Sequence, residues 1–84
     1  MKAKIGDRIV DVWKISHLSP RESWVQELFD QGIIYWYEAN SNILMFPQAY
    51  GGAASVGFYF INLGKNEYQA VNSRRFKREF QLLE

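Results

Sequence analysis

Apolar and polar positions alternate most clearly from Val56 to Val71, VGFYFINLGKNEYQAV. Phe58 and Phe60 point one way on an extended chain, and Tyr59 and Ile61 the other. Beyond Leu63-Gly64-Lys65-Asn66, Tyr68 and Ala70 alternate with Glu67, Gln69 and Val71. Period-two patterning on both sides of a Gly/Asn loop predicts a β-hairpin. Upstream, Arg8–Ile15 (RIVDVWKI) predicts a strand with Ile9, Asp11, Trp13 and Ile15 on one face and Val10, Val12 and Lys14 on the other. Apolar residues on both faces predict a strand largely covered on both sides. Asp11 among them needs a polar partner, for which Tyr59 or a backbone N–H is the expectation.

A helix is predicted from Pro20 to about Gln31. Ser19 suits the N-cap, Pro20 the first helical position, and Glu22 completes a capping box. Trp24, Val25, Leu28 and Phe29 form its apolar stripe, and Gly32 stops it. Ile33–Glu38 and Ile43–Phe46 predict a second hairpin across Ala39-Asn40-Ser41-Asn42, ended by Pro47. Residues 1–7 read as loose. Gln48–Ser55 reads as a mobile loop anchored only by Tyr50, and its left half can also extend the preceding strand. Asn72-Ser73 caps a short helix from Arg74 to Arg78 or Phe80, with Phe76 and Phe80 one turn apart toward the core. Gln81–Glu84 is either helix end or short strand. The order β-α-β-β-β-β-α predicts one α+β domain over residues 1–84. It has a small, mostly antiparallel sheet of about five strands, with the first helix packed on one face.

Composition sharpens this picture. The chain has 84 residues, of which 17% are aromatic. A chain this short needs a dense core, and aromatic side chains supply one from few residues. There is more aromatic surface than one small core hides, which keeps homo-oligomerisation open. No cysteine is present, which excludes disulfides, a Cys-ligated zinc and a thiol nucleophile. That fits a cytoplasmic protein. The net charge of +1 argues against a globally electrostatic partner such as duplex DNA. No apolar run reaches the ~18–20 residues of a membrane span, and no signal-type segment follows Met1-Lys2-Ala3-Lys4. The expectation is a soluble, intracellular protein with no membrane partner.

Several of these stretches together carry a resemblance. RIVDVWKI with Asp11 at its centre, the helix with Trp24-Val25 and then Gly32-Ile33, and GFYFINLGKNEYQAVNSRRFKREF resemble a family of small phage and prophage proteins. That family has a C-terminal hairpin opening in Pro-Gly-Asp-Tyr. Gly57 and Tyr59 match its Gly and Tyr, while Val56 and Phe58 replace its Pro and Asp. Phe60 and Ile61 match an apolar pair, Glu67-Tyr68 a Glu-aromatic step after a turn Gly replaced by Asn66, and Phe76 and Phe80 the closing aromatics. The resemblance implies a phage or prophage origin, and with it the cytoplasm of a host bacterial cell. It brings no catalytic residue, cofactor or metal ligand.

The residues themselves offer two binding features. Arg74, Arg75, Lys77 and Arg78 form a basic cluster able to contact phosphates. Its plainer reading is the solvated face of an amphipathic helix, diluted by Glu79 and Glu84. Tyr35, Tyr37, Phe58 and Tyr59 are the aromatics from which a partner-binding patch would be drawn. Stacking of single-stranded bases on such strands is one alternative, and burial in the core or between protomers is the plainer use of strand aromatics. His17, the sole histidine, has no second ligand at metal spacing and reads as a surface polar residue. Asp11 and Glu38 form an acid–base pair only if the fold brings them together. Gly51-Gly52 and Gly57 fit no phosphate-cradling loop.

The function expected from sequence is a non-catalytic, phage-derived protein-interaction module with no cofactor, acting on a host or phage protein. The alternatives are a single-stranded nucleic-acid binder using the basic helix and a protein sequestering a small nucleotide. Nucleic acid is not the favoured partner, and an enzyme is the least favoured class.

Overall fold

The computed structural model describes residues 1–48 and 51–83. The described residues form eight strands and two helices in the order β1 (Lys2–Ile5), β2 (Arg8–Lys14), α1 (Ser23–Asp30), β3 (Tyr35–Tyr37), β4 (Asn40–Phe46), β5 (Gly52–Ser55), β6 (Tyr59–Gly64), β7 (Glu67–Val71), α2 (Ser73–Glu79) and β8 (Gln81–Leu83). The α+β class holds, but the strands divide between two antiparallel sheets. One has five strands in the order β7-β6-β2-β1-β8, and the other three in the order β3-β4-β5.

The central strands explain the layering. β2 and β6 are apolar on both faces, and each face meets a different core. Trp13, Ile15, Phe60 and Tyr68 face α1 and the three-stranded sheet, where Val25, Leu28, Ile34, Leu44, Phe46 and Ala54 complete the first core. Val10, Val12, Ile61 and Val71 face the other way and are covered by Phe76 of α2 and by Phe80 just after it, with Ala3 beside them. The hairpin alternation predicted from Val56–Val71 therefore assigns its side chains to opposite cores. Phe60 is the centre of the first core, fully buried, with Phe46, Tyr68 and Trp24 ring centroids at 5.2, 5.4 and 6.1 Å. In the second core Tyr59 stacks on Phe76 at 3.9 Å and Phe76 on Phe80 at 5.1 Å.

The turn of this hairpin is Lys65-Asn66, with φ of 53° and 63°. Two successive left-handed residues are what a two-residue turn of type I′ demands, and such turns match the twist of the strands they join. At the end of α1, Gly32 takes φ 71°. Its N–H bonds the Phe29 carbonyl at 3.0 Å and the Ile33 N–H bonds the Leu28 carbonyl at 2.9 Å. This pair is a Schellman closure, the stop expected of Gly32. Asn72 caps α2 as predicted, its Oδ1 accepting from the Arg75 N–H at 2.8 Å.

Four local expectations are corrected. Residues 2–5 are not loose: Ala3 is fully buried, and β1 pairs with β2 and β8. Residues 52–55 are not loop but strand β5, paired with β4, whereas residues 49 and 50, the rest of that predicted loop, lie outside the described residues. The first helix begins at Ser23, with the Glu22 carbonyl accepting from Val25 and Gln26, so the Ser19 capping box does not form. The Ser19–Pro20 bond is cis, the Arg21 guanidinium lies 4.4 Å from the Phe29 ring centroid, and Glu22 pairs with the terminal ammonium of Met1. These side chains are committed to tertiary contacts rather than to the helix start. Finally, Asp11 pairs neither with Tyr59 nor with backbone; the Lys2 ammonium meets its carboxylate at 2.6 Å from the register position directly opposite on β1. Of the alternatives for the C-terminal segment, strand is the outcome for residues 81–83.

Candidate interaction surface

The three-stranded sheet has one covered face and one open face. Strand alternation in β4 sends Leu44 and Phe46 into the first core and Ile43 and Met45 outward. Register carries the same division across the sheet. Tyr35, Met45 and Ala53 lie opposite one another on the three strands, as do Ile43 and Ser55 on β4 and β5. Tyr37 lies beyond a register shift in β3, opposite Asn40, and is exposed as Tyr35 is. Their inward counterparts Trp36, Leu44 and Ala54 pack into the core. The open face thus carries Tyr35, Tyr37, Ala53 and Ser55 exposed, with Ile43 and Met45 half-buried among them. Tyr35 and Tyr37 are 54% and 44% exposed.

None of these six residues is charged, in a chain with ten basic and nine acidic side chains. Elsewhere the described surface mixes charged side chains with exposed apolar ones such as Leu18, Ile9 and Leu82. α1 carries Glu27 and Asp30 outward, α2 carries Arg74, Lys77 and Arg78, and the open end of the large sheet carries Lys2, Lys4 and Asp11. An uncharged face with two accessible tyrosine rings is what a protein interface core requires, because no ion need be stripped of water there.

The four aromatics singled out from sequence do not form one patch. Tyr35 and Tyr37 stand on the open face. Phe58 is half-buried against the first core. Tyr59 is half-buried on the opposite side of the large sheet, stacked on Phe76. Register assignment of β5 reveals Ile43, Met45, Ala53 and Ser55, which sequence reasoning did not select. The available signal was the run Ile43-Leu44-Met45-Phe46, apolar on both faces although only one face has a core to meet.

The basic cluster lies on α2, on the far side of the large sheet from the tyrosines. Arg75 Nε donates to both carboxylate oxygens of Glu79 at 3.1 Å, and Arg78 reaches the same carboxylate at 3.4 Å. The Arg75 hydrogen bond, with a smaller contribution from Arg78, holds the Glu79 carboxyl below its ordinary range. Two of the four cations are thereby partly neutralised. Arg74 and Lys77 make no ion pair among the described residues. The structure does not assemble these cations and the exposed tyrosines into one groove.

Asp11 and Glu38 are likewise separated, Asp11 on β2 with its lysine and Glu38 in the β3–β4 turn. His17 hydrogen-bonds Asn42 Oδ1 through Nε2 at 3.1 Å and lies 4.2 Å from the Trp36 ring centroid. It pins the loop before α1 against β3 and β4. An open groove of about 700 Å³ follows the outer edge of β7, lined by Glu67, Gln69, Arg75, Pro47 and Gln48 among others. Its polar groups do not converge on one point with a buried anchor. No helix among the described residues is long and apolar enough to cross a membrane. Comparison with protein-family models, with curated proteins and with solved structures finds no match to this chain.

Proposed function

We propose that this chain is a non-catalytic protein-interaction module that binds through the open face of its three-stranded sheet. The observation that carries the reading is the absence of charge across Tyr35, Tyr37, Ile43, Met45, Ala53 and Ser55, with the two tyrosines exposed among them. Tyrosine and methionine are residue types that interface cores favour, and tyrosine brings contact area at low entropic cost.

The setting we attach to it is that of a phage or prophage, supported by the hairpin residues that carry the resemblance. Those residues have a structural occupation. Tyr59, Phe76 and Phe80 form the ring stack that holds α2 on the sheet, and Gly57 takes φ 99° where a side chain is disfavoured. They preserve the scaffold and leave binding to the other side of the molecule.

Capture from a bacterial lysate tests the reading, with wild type compared against Tyr35→Lys and against Arg74→Glu/Lys77→Glu. The expected result is a protein retained by wild type and by the α2 variant and lost with Tyr35→Lys. Capture that depends on Arg74 and Lys77 and ignores Tyr35 would overturn it. Release of bound nucleic acid from the wild type, lost in the α2 variant, would instead support the basic helix as the working surface.

A further inference from the structure

We propose that the outer edge of β7 is a strand-addition site, which takes an extended segment of another protein carrying a basic residue beside Glu67. The site is separate from the open face of the smaller sheet and does not rest on that reading.

Two contacts fix the phase of the main-chain hydrogen bonds in the large sheet. Val12 and Met1 exchange bonds in both directions, at 2.8 and 3.0 Å, so Val12 turns its main-chain groups toward β1. Alternate residues of β2 turn theirs toward β6, and the Ile15 N–H bonds the Phe58 carbonyl there at 2.8 Å. Bonded and non-bonded pairs alternate along an antiparallel ladder. Phe60 and Asn62, opposite Trp13 and Asp11, therefore bond to β2, and Tyr59 and Ile61 bond to Val71 and Gln69 of β7. That leaves Tyr68 and Ala70 with their N–H and C=O groups directed away from the sheet. No strand pairs with β7 on that side. No turn or loop hydrogen bond among the described residues ends on these groups.

β7 is the longest strand at a free edge of either sheet. It contains neither lysine nor proline, residues by which exposed edges are kept from pairing. The groove of about 700 Å³ runs along it. A compact ligand would need polar groups that converge on one point. What this edge offers is donors and acceptors at strand spacing, which select an extended peptide main chain. Residues of an added strand beside Tyr68 and Ala70 stand on the side of the first core, to which those two side chains belong, and apolar types suit them.

Charge narrows the occupant further. Among the described lining residues the charged ones are Arg75 and Glu67. Arg75 is bound to Glu79, whereas Glu67 makes no ion pair among the described residues. The uncompensated charge is negative, and a lysine or arginine on the added strand meets it. An exposed pair of this kind contributes little, so it chooses among strands that the main chain holds. It also decides against a second copy. The free-edge strands Tyr35–Tyr37, Gly52–Ser55, Glu67–Val71 and Gln81–Leu83 contain no lysine or arginine, so pairing this chain edge to edge leaves Glu67 unmatched.

The test uses the blocked peptide acetyl-Ser-Val-Thr-Val-Lys-Ser-amide. Its valines pair antiparallel with Ala70 and Tyr68, which brings its lysine beside Glu67. Titrated to about 2 mM, enough to detect a millimolar dissociation constant, it is expected to shift the Tyr68 and Ala70 amide NMR signals of the full chain and to slow their hydrogen exchange. The same peptide N-methylated at both valines keeps its side chains and loses two donors. It is expected to bind about tenfold more weakly or worse. Glutamate in place of the peptide lysine is expected to weaken binding about two- to fivefold, and Glu67→Lys to reverse that preference. Absence of shifts at the highest concentration overturns the proposal. So does binding that survives N-methylation, or a preference for lysine that Glu67→Lys leaves in place. Exchange protection at Tyr68 and Ala70 that rises with protein concentration without peptide overturns the choice of occupant, in favour of a second copy.

Discussion

Gly52 opens β5 with its backbone laid against the Phe46 ring, and substitution by alanine tests whether that contact organises the second sheet. A Cβ at Gly52 would lie 2.4 Å from Phe46 Cε2, 2.6 Å from Cδ2 and 2.8 Å from Cζ. Carbon atoms in ordinary contact sit about 3.5–4.0 Å apart, so the ring must retreat by roughly 1 Å. It has little room: Phe46 is buried and meets the Phe60 ring edge-on at 5.2 Å and 67°. Overpacking of this kind costs about 1–3 kcal/mol. Replacing glycine at an ordinary φ returns about 0.4–1 kcal/mol by narrowing the unfolded ensemble. The net expectation is destabilisation by about 1–2 kcal/mol. A chain of this length has only roughly 4–13 kcal/mol to lose, and about 4–8 °C of melting temperature goes with each kcal/mol. Urea and thermal unfolding followed by tryptophan fluorescence measure the loss. In a Phe46→Leu background the same Gly52→Ala change should cost less, because the obstructing ring is gone. Ala53→Thr, one residue along with its side chain outward, should stay within about 0.5 kcal/mol of wild type. A Gly52→Ala variant as stable as wild type would refute the placement of β5 against Phe46.

Two further outcomes follow from the C-terminal helix. Asn72→Ala removes the cap on Arg75 N–H and should lower stability by about 1 kcal/mol, read from the urea midpoint; no change would mean that α2 does not depend on its cap. The Glu79 carboxyl, held low by Arg75, contributes stability that is present above its unfolded pKa and lost as pH falls through the lowered folded value. An NMR titration of Glu79 should show the depressed value, and Arg75→Ala should raise it; an unmoved titration would remove Arg75 as the cause.

Much of the scaffold is legible in the chain because its signals are local. Alternation around Phe58–Ile61 and Tyr68–Val71 depends only on strand geometry, and both hairpin faces meet the cores that the pattern assigns them. Gly32 and Asn72 act within one turn of a helix, so their roles are readable from sequence alone. The start of α1 was not, because Arg21 and Glu22 are drawn to Phe29 and to Met1, contacts that short-range capping rules do not contain. Asp11 shows the same limit: its need for a partner is visible in the pattern of β2, whereas its pairing with Lys2 depends on β1 being a strand.

By itself, then, the sequence determined the α+β class, the two-faced central strands, a hairpin turning within Leu63-Gly64-Lys65-Asn66 and the caps of both helix ends that carry glycine or asparagine. Tertiary structure alone decided that the strands split into two sheets and that Lys2–Ile5 and Gly52–Ser55 belong to them. Those two segments are rich in lysine, glycine and alanine, whose intrinsic strand preference is weak. They become strands because neighbouring edges offer hydrogen bonds and, at Gly52, because a larger side chain would collide with the Phe46 ring. The open face exists for the same reason. Tyr35, Met45 and Ala53 come from three separate segments, and no periodicity within any one of them discloses that register sets them side by side without a charge between them.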